Sequence, residues 1–343
     1  MPSGGYPSPR MDMAAFCKQS RVLIVAGKGG VGKTTICASL ALSAAISGLD
    51  VLIVELEGKS GIPEAFDVPG PLDYDETILV ESTDNGGSVT GRRITPDDAL
   101  LEYLADHGMR RFSRRLVSSG ALDVVATAIP GIRDILVLGK VKQLERGANA
   151  DLILLDAPAT GHVMTFLSSA SGLLDAARSG PLRAQAEDVA ELLTDPDRCR
   201  VALVTLPEEM PVNEVIEAAY KLEDRVGVSL GPLIINGCLV EKHNLDEDPV
   251  VAASDAGEEI SEDLARALAE AARFSSHRQD QQDEQLQRLS DDLPLRQIRV
   301  PAVPGDAIGP EEIEVIADAL TAGIEALPPA AEPHHHGDSQ AAQ

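Results

Sequence analysis

Residues 27–34 read Gly-Lys-Gly-Gly-Val-Gly-Lys-Thr, which fits the pattern G-x-x-x-x-G-K-[ST]. This is chemistry for holding a polyphosphate. Gly27, Gly29, Gly30 and Gly32 let the backbone close round phosphate oxygens with its N–H groups turned inward. Val31, Lys33, Thr34 and Thr35 complete the binding set. The start of the following helix adds the positive end of a dipole. Lys33 is placed to reach the β- and γ-phosphates, and the Thr34 hydroxyl suits Mg²⁺, which takes oxygen ligands and keeps several waters. Asp156 closes the apolar run 151–156 (DLILLD), where a carboxylate associated with the same Mg²⁺ belongs. An ordinary strand-end Asp capping the next loop is the plainer account of that residue.

These residues work only if a strand delivers the loop and a helix leaves it. The flanks supply both. Arg21–Ala26 (RVLIVA) is an apolar run of strand length, and Thr34–Ser47 is helical in pattern with Gly48 as its stop. Val51–Glu55 (VLIVE) is a second buried strand, so the chain opens as a βαβ unit. That predicts an α/β fold with a parallel sheet. Further strands are expected at 151–156, 200–205, 232–236 and 297–300. A hairpin is expected from 77–82 and 89–94 around the turn DNGG. From Thr95-Pro96-Asp97-Asp98, a capped helix start, the pattern is helical to Asn149, and it resumes over 162–178 and 181–193. Helical subdomains at about 95–149 and 162–194 within a sheet domain spanning 21–326 follow. Residues 1–20 read as a flexible arm and 327–343, which contain His334-His335-His336, as a disordered tail. A helix is expected over 211–226 and another over 310–326. The charged stretch 246–292 reads as one long exposed helix or a helical pair.

GKGGVGKTT at 27–35, PGIRD at 130–134 and DAPATGH at 156–162 together resemble the ArsA-type ATPase family. That family holds the arsenite-pump ATPases and the tail-anchored-protein targeting ATPases. TPDDALLEY at 95–103 and PAVPGDAIG at 301–309 are similar to family segments too, so the likeness runs from about Arg21 to Ala326. The resemblance implies a P-loop NTPase core of the SIMIBI type with a helical subdomain insertion, ATP and Mg²⁺ as cofactors, and work as a dimer. Lys28 marks the deviant Walker A loop, in which this lysine reaches the partner's nucleotide. Switch II would start at Asp156 and run through Thr160-Gly161-His162. Asn236 matches the residue that reads adenine, and an amide, which both donates and accepts, suits that task. A turn-forming strand end is the alternative there. Two departures stand out. Where the family has a switch I Asp that orients the attacking water, this chain has Glu57. The added methylene moves the carboxylate by about 1 Å, enough to slow turnover. Glu55 is a poorer substitute because it ends the strand. The family's Arg after the switch II His falls on Thr165.

Composition limits the partners. With 29 Lys+Arg against 55 Asp+Glu the formal charge is -26, which repels nucleic acid and anionic lipid. Aromatic residues make up 3%, with no Trp, which argues against base-stacking platforms. Cys17, Cys37, Cys199 and Cys238 are dispersed, so a soft As(III) or Sb(III) site and an interchain zinc CxxC are both disfavoured. Unpaired cysteines and the lack of an apolar leader point to a cytoplasmic protein, peripheral to a membrane only through a partner and not integral to one. The expected function is a dimeric Mg-ATPase, homomeric or paired with a related ATPase, that couples its nucleotide state to a protein or membrane-protein client. The alternative is a nucleotide-regulated binding subunit with little hydrolysis of its own. The apolar residues of the insertion read first as its core and only second as a client groove.

Overall fold

The computed structural model describes residues 11–56, 58, 61–106, 131–305 and 307–327. All six residues of strand β1, Val22–Gly27, are buried. Val22, Ile24 and Ala26 point into one hydrophobic core, Leu23 and Val25 into another. An unbroken apolar run requires this, because a strand alternates its side chains and neither face can meet water. β2 (Val51–Leu56) is buried throughout in the same way. So is β5 (Leu152–Ala159) as far as Ala157. With β3 (Thr77–Val80), β4 (Val89–Ile94), β6 (Cys199–Thr205), β7 (Ser229–Leu230), β8 (Leu233–Cys238) and β9 (Gln297–Pro301) they form one sheet. Its order is β3-β4-β2-β5-β1-β6-β8-β9, with β7 beside β6. The pairings are parallel except β3 with β4, the expected hairpin.

Helices cover both faces. One core collects α1 (Met13–Cys17), α2 (Lys33–Ile46), α3 (Gly61–Ala65) and α11 (Pro310–Glu325). The other collects α4 (Pro96–Asp106), α5 (Ile132–Gly147), α6 (Thr160–Ala176), α7 (Pro181–Thr194), α8 (Glu209–Lys221) and the end of α10 (Glu262–Asp292). α4 starts as its sequence demands: Thr95 Oγ1 accepts from the Asp98 N–H at 3.1 Å, and Pro96 takes the first turn. α8 runs into a π-helical turn, Leu222–Val226, closed by Gly227 at φ 75°. The stretch 246–292 is a helical pair, α9 (Pro249–Asp255) and α10.

The expectation of a flexible arm over 1–20 needs correction. Asp12 accepts a hydrogen bond from Ala15 N–H at 2.6 Å and caps α1. Met13, Phe16 and Cys17, at i, i+3 and i+4, are buried there, and α1 packs on α2 and α11. The rest of that arm (1–10), the middle of the insertion (107–130) and the tail over 328–343 lie outside the described residues.

α5 carries two buried lysines, which need partners to remain charged. Lys140 Nζ donates to Glu102 Oε1 of α4 at 2.6 Å, and Lys142 pairs with Asp188 of α7. Tyr74 Oη also donates to Glu102, and the Arg92 guanidinium lies 4.7 Å from the Tyr74 ring centre. Burial alone would raise the Glu102 carboxyl, but the bonds from Lys140 and Tyr74 and the charges of Lys140 and Arg92 outweigh it and hold its pKa below the ordinary value. A lowered carboxyl pKa stabilises the fold above the unfolded-state value, about 4.3 for Glu. That contribution is lost as pH falls through the folded-state value. Glu102→Gln is therefore expected to cost about 1–3 kcal/mol at pH 7, with the gap from wild type closing below about pH 4. Thermal melts of both proteins from pH 7 to 3 check this.

Candidate functional site

β1 ends at Gly27 and α2 begins at Lys33, so the glycine-rich loop joins a buried strand to a helix N-terminus at the carboxyl edge of the sheet. Close packing fixes its shape. A Cβ on Gly27 would lie 2.3 Å from the Val204 carbonyl oxygen of β6. Gly30 and Gly32 sit at φ 87° and 88°, in the left-handed region that disfavours L side chains. Next to Gly30 the space is open, since a Cβ there meets nothing within 4 Å, and a Cβ on Gly29 would only touch Ala159 Cβ at 3.9 Å. Val31 is buried and anchors the outer turn.

Around this loop the structure brings together residues far apart in sequence. Thr34 Oγ1 donates to Asp156 Oδ2 at 2.8 Å. Asp156 is fully buried near the end of β5, level with Val25 of β1 and Glu55 of β2. Lys33 Nζ donates back to the Lys28 carbonyl at 2.8 Å, so its ammonium lies over the loop. Asn236, at the carboxyl end of β8, donates from Nδ2 to the Val31 carbonyl at 3.0 Å, so its amide braces the outer turn of the loop. Thr35 follows Thr34 in the first turn of α2. Glu57 lies outside the described residues.

Four further residues enter the arrangement. Glu214 of α8 pairs with Lys28 Nζ at 2.7 Å, both side chains about one-third exposed. Glu55 is fully buried and accepts from the Ile62 N–H at 3.4 Å, so it ties the start of α3 to β2. A Cβ on Gly61 would lie 3.0 Å from Thr34 Cγ2, so the turn into α3 packs against the motif threonine. Asp134, at the start of α5, has its pKa raised by burial, while the nearby His162 at the start of α6 pulls it back down. Only the spacing of Asp134 within PGIRD could have drawn attention to it.

The residues fit a magnesium-bound polyphosphate. The loop backbone leaves room where added side chains would not. The N-terminus of α2 supplies oriented N–H donors, and Lys33 supplies a cation. Thr34 and Asp156 place a hydroxyl and a carboxylate oxygen together, the hard oxygen donors that Mg²⁺ takes directly or through water. By strand order and loop geometry the molecule belongs to the P-loop nucleotide-binding proteins.

Comparison with known sequences narrows that class. The family described as anion-transporting ATPase matches residues 20–178 and 180–259, and the chain belongs to this ArsA-type ATPase family. ATPase BagA of Mycobacterium tuberculosis is 39% identical over 230 residues, covering 63% of this chain and 64% of that protein. The arsenical pump-driving ATPase of Acidiphilium multivorum is 29% identical over 220 residues, covering 64% of this chain and 35% of the relative. ATPase get3 of Schizosaccharomyces japonicus is 30% identical over 146 residues, 43% of each chain. The chain thus matches a little under two-thirds of the length of its first curated relatives.

Gly32 offers a direct test of the loop geometry. A Cβ there would lie 2.3 Å from Asn236 Nδ2 at a strained φ. Gly32→Ala is expected to weaken Mg-ATP binding at least ~10-fold. Adding Asn236→Ala removes the clash but leaves the left-handed penalty of roughly 1–2 kcal/mol, so the double variant recovers only part of the affinity. Isothermal titration of the three proteins measures both effects.

Proposed function

We propose that this protein is a Mg²⁺-dependent ATPase that works as a dimer, with itself or with a related ATPase, and couples its nucleotide state to a protein client. The observation that carries the ATP site is the Thr34 hydroxyl on the buried Asp156 carboxylate, beneath a loop whose glycines leave space for phosphate. Gly27 to Thr35 hold the triphosphate, with Lys33 on the β- and γ-phosphates. Thr34 and Asp156 hold Mg²⁺, which when bound neutralises phosphate oxygens as charge spreads in the transition state. Glu57 orients the attacking water. Positioning and electrostatics, not proton abstraction, are what such a site contributes.

The base belongs at the carboxyl ends of β8 and β9, the side of an open parallel sheet where ligands bind. An apolar groove of about 440 Å³ lies there, lined in part by Leu239, Val240, Phe274, Val303 and Pro304. It begins three residues beyond Asn236, which makes Asn236 both a brace for the loop and a neighbour of the base.

Lys28 is the residue that calls for a second subunit. Its ammonium is held in cis by Glu214, and to meet a partner's nucleotide it has to leave that carboxylate. The cytoplasm is the proposed location. No helix among the described residues is long and apolar enough to cross a membrane, so a membrane role would run through a partner. A second reading is a binding subunit with little turnover of its own. Glu57, longer by a methylene than the Asp the family places there, favours it.

Three measurements test the proposal. Lys33→Ala should abolish Mg-ATP binding, whereas Glu57→Gln should keep binding and slow single-turnover hydrolysis by ~10-fold or more. Unchanged turnover in both variants defeats the ATPase reading, and full binding with no hydrolysis by the wild type selects the binding subunit. Glu214→Ala frees Lys28 from an exposed ion pair worth about 0.2–1 kcal/mol. It should therefore tighten ATP-dependent dimerisation roughly 1.5- to 5-fold in sedimentation velocity.

A further inference from the structure

α10 is 31 residues long, and one row of side chains runs its length at helical spacing: Leu264, Leu268, Ala271, Ser275, Arg278, Gln282, Leu286 and Leu289. The two ends of this row have different fates. Gln282, Leu286 and Leu289 are buried, Leu286 and Leu289 in the main core, and Gln282 Oε1 accepts from the Leu239 N–H at 2.6 Å. No residue of 262–281 is buried, and Leu264 and Leu268 are 48% and 45% exposed. Among the described residues, the face that anchors the helix thus continues past the edge of the domain as an exposed one. α9, which packs against α10, adds Val250 and Val251, 54% and 58% exposed. Isolated exposed apolar residues are commonplace, but a row continuous with a core-facing row is a docking face in form.

The surrounding charge selects the occupant. Residues 246–281, the hairpin as far as its first buried residue, carry ten Asp and Glu against Arg266, Arg273 and Arg278, and Arg266 pairs with Asp263 at 3.4 Å. A second copy would bring the same surplus against it, and an anionic lipid surface would be repelled. An amphipathic helix with lysine or arginine on its flanks satisfies both the apolar row and the field. The exposed row from Leu264 to Ser275 covers about three turns, or roughly 16 Å.

We propose that the α9–α10 hairpin is a docking surface for a basic amphipathic helix of another protein, seated on Leu264 and Leu268. Leu264 and Leu268 line no part of the proposed nucleotide site, although Ser275 at the far end of the row lines the base groove, so the proposal stands whether or not that site hydrolyses ATP.

Fluorescence anisotropy with the full-length protein tests it. The probe is a labelled 18-residue Leu/Lys peptide with helical amphipathic spacing. Its controls are a peptide of the same composition in scrambled order and a Leu/Glu peptide of the same pattern. The wild type is expected to bind the patterned Leu/Lys peptide at least 10-fold tighter than the scrambled one and to leave the Leu/Glu peptide unbound. Leu264→Ser/Leu268→Ser should lose at least 10-fold, Leu264→Ala/Leu268→Ala a smaller part of that, and Glu259→Lys/Glu262→Lys at least 5-fold. All three variants should keep wild-type melting curves and ATP binding. Equal binding of the scrambled peptide, or undiminished binding by the serine variant, overturns the proposal. So does self-association of the wild type that the serine variant abolishes, because the face would then belong to a second copy.

Discussion

Much of the site hangs on one hydrogen bond, from the Thr34 hydroxyl to the Asp156 carboxylate. It joins the first turn of α2 to the end of β5, 122 residues away in sequence. A fully buried carboxylate is costly unless donors meet it, and the loop after β1 presents the Thr34 hydroxyl to Asp156 at this height. Glu55 sets the same condition one strand over. It is level with Asp156 and fully buried, and it holds the Ile62 N–H at the start of α3. Two adjacent buried carboxylates thus fix where α2 and α3 begin. The sheet order places β5 between β1 and β2 and makes this meeting unavoidable.

The same end of β5 leads directly into the helical layer. α6 starts at Thr160, with no residue between it and the strand. α5 begins beside α6: a Cβ on Gly131 would lie 3.1 Å from Ser169 Cβ, and Asp134 feels the charge of His162. Farther along, α5 is pinned by Lys140 to α4 and by Lys142 to α7. Buried ion pairs of this kind seldom add much net stability, but breaking one is expensive, so they hold register. The helices on this face therefore follow the end of β5 as a packed body. That gives the proposed nucleotide coupling a contiguous physical route.

The phosphate loop and the central strands were legible in the sequence because their determinants are local. Positive-φ glycines, a strand-length apolar run and a helix start lie within Arg21–Ser47. Asp156 was legible because it closes such a run. The bracing role of Asn236 was not, since its partner Val31 is 205 residues away and the contact exists only once β8 lies near β1. Glu214 looks like any carboxylate on an amphipathic helix until folding sets it beside Lys28. α1 was missed for a different reason. Five residues carry too little periodicity to stand out in a Gly/Pro/Ser-rich arm, although the Asp12 cap and the spacing of Met13, Phe16 and Cys17 were already there.

The acid surplus has a place in this arrangement. Much of it sits on α9, α10 and the segments that join them, where side chains reach water and repulsion costs little. The loop at the other side of the problem needs local positive potential, and it obtains that from the α2 N-terminus, Lys28 and Lys33 at contact range. Screening over roughly 8 Å at physiological salt separates the two fields, so the global charge does not penalise a polyanion held in the loop. What the charge does govern is encounter. Acid clustered round an unfinished apolar row turns away copies of itself and anionic surfaces, and leaves the row open to a cationic partner.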